Sequence, residues 1–114
     1  MRRSKALFRE SRKYIAGGVN SPVRAFRAVG GEPVFMRSGR GARVTDEDGK
    51  SYVDFCLSWG PLILGHARRE VVAAAAKALA KGASFGAPTR EELELARLIC
   101  GAFPAIERVR FTSS

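Results

Sequence analysis

Apolar side chains recur at helical spacing in three stretches of this chain of 114 residues. The first helix is predicted over residues 4–16, because Ser4 can cap its start and a pair of glycines follows its end. The second is predicted over residues 69–81, where apolar positions follow the pattern i, i+3, i+4, i+7 and Gly82 comes next. Both stretches therefore predict amphipathic helices that cover a core with one face.

The third helix has the clearest start signal in the sequence. Thr89 and Glu92 have the spacing of a capping box, in which each side chain accepts a hydrogen bond from the other residue's backbone. A helix is therefore predicted over residues 90–102. After it, residues 106–112 alternate in polarity and are predicted to form a β-strand.

Short runs of alternating polarity between the first two helices predict three β-strands. These strands are expected over residues 34–37, 42–45 and 51–57. Glycine-containing turns at residues 39–41 and 46–49 separate them. Because the connections are short, we expect a small antiparallel meander.

Two loops rich in glycine and proline carry candidate binding residues. Residues 17–23 combine two glycines and a proline ahead of Arg24, and a guanidinium held in such a loop can bind a carboxylate bidentately. Trp59 is the only tryptophan and lies at a bend before Pro61, where a flat ring can wall a ligand pocket. From composition alone, a solvated arginine and a tryptophan packed under a loop are the simpler interpretations.

The single histidine and the two cysteines give weaker signals. The spacing indicates no serine, cysteine or acidic partner for His66, so a structural role is expected for it. Cys56 and Cys100 lie among apolar residues and lack metal-ligand spacing. We therefore expect buried free thiols in a reducing cytoplasm and no metal site.

The net charge of +9 comes from 20 basic against 11 acidic residues. These basic residues are scattered: no run of five or six of them occurs, and no interleaved aromatic residues suggest a base-stacking surface. Solvated surface is therefore the expected role of this charge, although a small basic module that binds nucleic acid or membrane is an open alternative. No apolar stretch is long enough to predict a membrane span.

The order of several motifs resembles that of a known enzyme family. Residues 17–26 (GGVNSPVRAF) resemble the signature loop of the glutamate-1-semialdehyde 2,1-aminomutases. Residues 46–55 (DEDGKSYVDF) resemble a hairpin shared by the wider class-III aminotransferase family. Other segments follow in the family's order: residues 58–61, 64–67, 84–89 and 106–111.

This resemblance implies an α/β fold, the N-terminal piece of a fold-type I transferase that depends on pyridoxal phosphate. The piece would supply a helix, a small antiparallel meander, two helices and the first strand of the large domain. Residues 1–66 would belong to the small domain, and residues 67–114 would lead into the large cofactor-binding domain.

The resemblance also implies an activity for the full-length protein. Such enzymes isomerise glutamate-1-semialdehyde to 5-aminolevulinate in tetrapyrrole (porphyrin) biosynthesis, using pyridoxal 5'-phosphate and pyridoxamine 5'-phosphate. A cytoplasmic homodimer without nucleic-acid or membrane partners is expected. Another class-III aminotransferase is the main alternative, and the specific first loop argues against it.

Site residues follow from the same resemblance. Arg24 would hold a carboxylate of the substrate, while Ser21 and Val23 would line the same pocket. Trp59 would wall the substrate site. Ser114 would begin the turn that holds the cofactor phosphate, although Ser113 stands where asparagine is usual. No lysine here matches the family's Schiff-base lysine, so no catalytic residue is assigned and the 114-residue chain alone is expected to be inactive.

Overall fold

The computed structural model describes residues 2–112, which fall into two compact units divided between residues 76 and 77. The predicted domain division between residues 66 and 67 stays a prediction. Helices and strands have the following bounds: α1 Arg2–Tyr14, β1 Met36–Arg40, β2 Arg43–Asp46, β3 Ser51–Val53, α2 Arg69–Leu79 and α3 Arg90–Ala102. Helices combined with a small sheet confirm the α/β class.

The start of α1 is capped by a residue distant in sequence. The carboxylate of Asp48 accepts the backbone N–H of Arg3 at 3.0 Å and that of Ser4 at 3.5 Å. The hydrogen bond from the N–H of Arg3 lowers the pKa of Asp48, and burial of the carboxylate opposes part of this shift. Capping by Ser4 was therefore a wrong prediction: Ser4 lies inside the helix, fully buried, and its hydroxyl accepts the N–H of Phe35 at 3.1 Å.

The three strands form an antiparallel meander in the order β1-β2-β3, as predicted. Strand β1 is displaced from the predicted residues 34–37, because its pairing with β2 continues through Gly39 to Arg40. The turn is thereby reduced to Gly41 and Ala42. Pairing to a neighbour, rather than the glycines themselves, decides where this strand ends.

A buried carboxylate closes the second hairpin. Asp46 is fully buried and accepts hydrogen bonds from the Tyr52 hydroxyl at 2.8 Å and from the N–H groups of Lys50 at 2.8 Å and Asp48 at 3.0 Å. Burial by itself raises the pKa of Asp46, but these donors outweigh it and lower the pKa. The same bond to Asp46 raises the pKa of Tyr52. The hairpin is therefore fixed by polar contacts.

The last two helices agree with the sequence, whereas the final predicted strand does not. Helix α3 has the predicted bounds and a complete capping box, with Glu92 N–H to Thr89 Oγ1 at 3.4 Å and Thr89 N–H to Glu92 Oε2 at 3.2 Å. Helix α2 ends two residues before the predicted Lys81. Residues 106–112, the predicted first strand of the large domain, form no strand, since none of the described residues pairs with them.

Packing in the described chain leaves its apolar faces uncovered. No hydrophobic side chain within residues 2–112 is buried. Helices of this length draw most of their stability from packing of an apolar face, so these faces need a covering surface. The exposed positions include Val71, Val72, Leu93, Leu95, Leu98 and Phe111.

Candidate functional site

The loop that carries Arg24 is a short 3-10 turn, Pro22–Ala25. Pro22 occupies the first helical position, where its ring fixes φ without losing a hydrogen bond. The N–H of Arg24 donates to the carbonyl of Ser21 at 2.9 Å. Phe26 then ends the turn in the left-handed region, with φ +60°. The backbone of Arg24 is therefore held on both sides.

Gly18 lets this loop lie directly against α1. Its φ is +79°, and a Cβ built on it would come within 2.6 Å of Cε2 of Phe8 and 2.8 Å of Cγ of Arg12. No larger residue fits there without displacing those side chains. Gly18 thus fixes how closely the Arg24 loop approaches the helix.

Arg24 lines a cleft of about 320 Å³ together with the polar side chains of Ser11 and Asn20. Among the described residues, its guanidinium has no hydrogen-bonding or ion-pairing partner. An unpaired guanidinium beside an apolar wall is suited to a carboxylate, because it presents a rigid fork of N–H donors. The apolar wall includes Ile15, Phe26, Val34 and Met36.

The other predicted substrate residues lie outside the lining of this cleft. Ser21 contributes the backbone carbonyl that holds Arg24, and Val23 is 68% exposed. Trp59 is 74% exposed and is not among the residues that line this cleft. Ser114 lies outside the described residues. The roles proposed for these residues stay predictions.

Trp59 sits on a backbone turn of unusual handedness. Leu57, Ser58 and Trp59 have φ values of +50°, +52° and +67°, so three consecutive residues other than glycine are left-handed. Each costs roughly 1–2 kcal/mol relative to the right-handed form. The backbone hydrogen bonds that span the turn include Trp59 N–H to Cys56 O at 2.9 Å and Gly60 N–H to Leu57 O at 3.0 Å. Such a conformation persists only where its surroundings determine it.

The carboxylate of Asp54 joins this turn to His66. One oxygen accepts the N–H groups of Cys56 at 2.8 Å and Leu57 at 3.2 Å, and the other lies 2.7 Å from Nε2 of His66. The bond to His66 is the main cause that lowers the pKa of Asp54, and the backbone donors add to it. The prediction that His66 lacks an acidic partner was therefore wrong. Asp54 directly follows β3, which ends at Val53 instead of the predicted Leu57.

His66 is in turn fixed to the first hairpin. Its backbone exchanges two hydrogen bonds with Gly41, at 2.9 and 2.8 Å. A Cβ built on Gly39 would come within 2.6 Å of Cγ of His66, so the imidazole lies directly on the strand backbone. Gly65 has φ +78°, and a Cβ there would lie 2.8 Å from the carbonyl oxygen of Gly41. These glycines allow the segment around His66 to approach β1 closely.

The remaining candidates carry no assembled site in the described part of the chain. Cys56 is exposed, contrary to the prediction of burial, while Cys100 is half-buried, and both thiols are free. No group of three or more histidine, cysteine, aspartate or glutamate residues within residues 2–112 is placed to hold a metal ion. Within the same residues, no helix has the length and apolar character to cross a membrane.

Comparison with curated proteins finds close relatives of one kind. The chain is 62% identical over 112 residues to the glutamate-1-semialdehyde 2,1-aminomutase of Roseiflexus castenholzii, covering 98% of this chain and 26% of that protein. It is 59% identical over 114 residues to the enzyme of the same name from Nitrosospira multiformis, covering 100% of this chain and 27% of that protein. The chain spans about a quarter of the length of the curated relatives it matches.

Solved structures similar to the chain include several transaminases. A transaminase with pyridoxal phosphate bound is 42% identical with a TM-score of 0.89, over 99% of this chain and 26% of that one. A β-phenylalanine aminotransferase from Variovorax paradoxus is 32% identical with a TM-score of 0.90, over 99% and 26%. A glutamate-1-semialdehyde aminomutase variant from Pseudomonas aeruginosa in complex with pyridoxamine phosphate is 31% identical with a TM-score of 0.80, over 90% and 22%.

The family model of class-III aminotransferases matches residues 26–114. This range takes in the meander, the Trp59 turn and both later helices, and it begins just after Arg24. The chain therefore belongs to the class-III aminotransferase family.

Proposed function

We propose that this chain is the N-terminal part of a glutamate-1-semialdehyde 2,1-aminomutase, which isomerises glutamate-1-semialdehyde to 5-aminolevulinate in tetrapyrrole biosynthesis. The observation that carries the proposal is the unpaired guanidinium of Arg24 on the wall of a small cleft. It lies in the loop 17–26, outside the range that the general family model matches. Identities of 59% and 62% to proteins of that name support the same assignment.

Arg24 is proposed to bind a carboxylate of the substrate. Two parallel N–H donors of one guanidinium fix both the position and the orientation of a carboxylate, which a point charge cannot do. Ser21 supports this role by accepting the N–H of Arg24 at 2.9 Å. Val23, two-thirds exposed, is proposed to cover the bound substrate once further protein surface encloses the cleft.

The proposed cofactor is pyridoxal 5'-phosphate, alternating with pyridoxamine 5'-phosphate. When bound, the cofactor supplies an electron sink at the carbon that gains or loses the amino group. The exposed indole of Trp59 fits a planar group, because it can form one wall against a flat ring. Ser114, which lies outside the described residues, is proposed to begin the phosphate-binding turn. No lysine of this chain matches the one that holds the cofactor in the family, so we propose that residues 1–114 alone are inactive.

We further propose a cytoplasmic homodimer that acts on a small molecule without nucleic acid or membrane. The uncovered apolar faces of α2 and α3 support burial against further protein surface. Several basic side chains are already neutralised by acidic neighbours, which lessens support for a nucleic-acid interface. These ion pairs are Lys5–Glu32 at 3.0 Å, Lys13–Glu10 at 2.8 Å and Arg68–Glu70 at 3.2 Å.

Another class-III aminotransferase, with separate amino donor and acceptor, is the second candidate. The backbone likeness favours it, since TM-scores of 0.89 and 0.90 to transaminases exceed the 0.80 to the Pseudomonas aeruginosa aminomutase. Sequence identity favours the aminomutase, at 62% against 42% for the transaminase with pyridoxal phosphate. Because the same fold hosts both reactions, likeness of the backbone does not distinguish them, and we give more weight to the sequence identity.

The test of the Arg24 assignment uses full-length protein with Arg24→Ala and Arg24→Lys. We expect Arg24→Ala to raise KM for glutamate-1-semialdehyde by about ten- to a hundred-fold, because a charge-assisted bidentate contact is lost. Arg24→Lys should recover part of this loss, since it restores the charge without the fork. Arg27→Ala is the matched control, because Arg27 follows three residues later and lies outside the cleft lining. An unchanged KM in Arg24→Ala would refute the assignment.

A further inference from the structure

The left-handed turn at Leu57–Trp59 needs an external support. Three neighbouring residues with φ between +50° and +67° all disfavour this backbone, and the hydrogen bonds between residues three apart within the turn are equally available to a right-handed turn. The turn is also only partly covered: Leu57 is half-buried, whereas Trp59 is 74% exposed and Phe55, just before the turn, is 91% exposed. Packing of its own side chains therefore contributes little to the handedness.

Asp54 supplies this support from the start of the turn. Its Oδ1 accepts the N–H groups of Cys56 and Leu57, at 2.8 and 3.2 Å, which fixes the direction in which the chain enters the first left-handed residue. Only 12% of the Asp54 side chain is exposed, so water competes weakly for these donors. The carboxylate, rather than solvent, is thus the main acceptor for them.

His66 fixes the position of Asp54. Its Nε2 lies 2.7 Å from the second carboxylate oxygen, and only 22% of the side chain is exposed. The imidazole itself cannot drift, because the backbone of His66 is bonded to Gly41 and its ring lies on Gly39. The meander, Asp54 and the turn are therefore linked by one continuous set of hydrogen bonds.

We propose that Asp54 and His66 are positioning residues that impose the left-handed turn and thereby place the indole of Trp59 against the substrate. The effect on substrate rests on the proposed function, whereas the effect on the turn does not. One of the two ring nitrogens of His66, Nε2, is therefore committed to Asp54.

The experiment uses full-length protein labelled with 5-fluorotryptophan, with the ¹⁹F resonance of Trp59 assigned by its loss in Trp59→Phe. Asp54→Ala should shift or broaden this resonance and raise KM for glutamate-1-semialdehyde by about ten- to a hundred-fold, with kcat less affected. Asp54→Asn should largely restore both values, since its amide oxygen still accepts the two N–H groups. His66→Ala should shift the resonance in the same direction as Asp54→Ala.

Asp48→Ala is the matched control, because Asp48 also caps backbone N–H groups, at the start of α1 rather than at the turn. It should lower stability but leave the Trp59 resonance and KM as in the wild type. The proposal is overturned if the resonance is the same in Asp54→Ala and wild type, or if Asp48→Ala moves it equally. Absence of aminomutase turnover in the wild type would instead refute the proposed function, and the resonance would still decide whether the pair holds the turn.

Discussion

Replacing Gly39 by alanine perturbs His66 without altering any hydrogen-bonding group. A Cβ on Gly39 would lie 2.6 Å from Cγ, 2.8 Å from Nδ1 and 2.9 Å from Cβ of His66. Carbon atoms in contact normally lie about 3.5–4.0 Å apart, so the ring must move by close to 1 Å. These atoms are near the backbone of His66, which is itself bonded to Gly41, so the side chain has little freedom to swing away.

The expected cost of Gly39→Ala follows from two opposing effects. Overpacking of this kind costs about 1–3 kcal/mol. Alanine is more favourable than glycine in a strand by about 0.5–1 kcal/mol, and Gly39 has no left-handed φ that would oppose the change. The net loss of stability is therefore about 0–2.5 kcal/mol.

A double-mutant cycle with His66→Ala isolates the contact. In the His66→Ala background Cγ and Nδ1 are gone and only Cβ of residue 66, at 2.9 Å, remains close, so Gly39→Ala should cost less there than in the wild type. The coupling free energy should be about 1–2 kcal/mol. Hydrogen-exchange protection of the Gly41 and His66 amides in the full-length protein reports the opening free energy of this region.

Gly101→Ala is the control for the glycine effect itself. Gly101 lies within α3, and a Cβ there would have no neighbour within 4 Å. The substitution should stabilise α3 by about 0.5–1 kcal/mol, opposite in sign to Gly39→Ala. A cycle in which Gly39→Ala and His66→Ala add without coupling would refute the close packing of the imidazole on β1.

Two further predictions concern the same region. Gly65→Ala should lower the opening free energy of the His66 amide, measured by hydrogen exchange, by about 2–5 kcal/mol, because its Cβ would meet the backbone of Gly41 and its left-handed φ would be strained. Gly41→Ala, also left-handed but with open space around it, should cost only about 1–2 kcal/mol. Equal losses in the two variants would contradict the contact. Because the pKa of Asp54 is lowered by folding, its stabilising contribution is present above its unfolded pKa of 3.8 and is lost as the pH falls through the lower folded pKa. Urea midpoints measured from about pH 5 down to about pH 3 should therefore fall less steeply in Asp54→Asn than in the wild type, and parallel profiles would contradict this pKa shift.

Local signals in the sequence were sufficient for the elements that depend on local contacts. The bounds of α3 follow from Thr89 and Glu92, which cap the helix within a single turn. Residues 106–112 show the opposite case. Their alternating polarity suits a strand in a sheet, but a strand also needs a neighbouring strand to pair with, and the sequence of this segment does not supply one. The start of β1 was misplaced for a related reason: its register is decided by pairing with β2.

The same distinction applies to the site: one part could be located from neighbouring residues in the sequence, and the other depends on contacts between distant residues. The ordered Arg24 loop could be located from its glycines and proline, because those residues restrict the backbone directly, whereas the role of Arg24 follows from the family resemblance and stays a prediction. The pair of Asp54 and His66 was missed, since 12 residues separate them and only the fold of the meander brings them together. The only sequence signal for the pair was weak: an aspartate within the predicted strand 51–57, and the single histidine of the chain following a glycine.

The central claim is tested most directly by the reaction of the full-length protein with glutamate-1-semialdehyde. With pyridoxamine 5'-phosphate and no added amino donor or acceptor, we predict formation of 5-aminolevulinate at a steady rate, and loss of activity in Arg24→Ala at low substrate concentration. An aminomutase needs no external partner because it returns the amino group to the same carbon skeleton. Turnover that depends on an added amino acid and 2-oxo acid, without 5-aminolevulinate, would contradict the claim and identify an ordinary class-III aminotransferase.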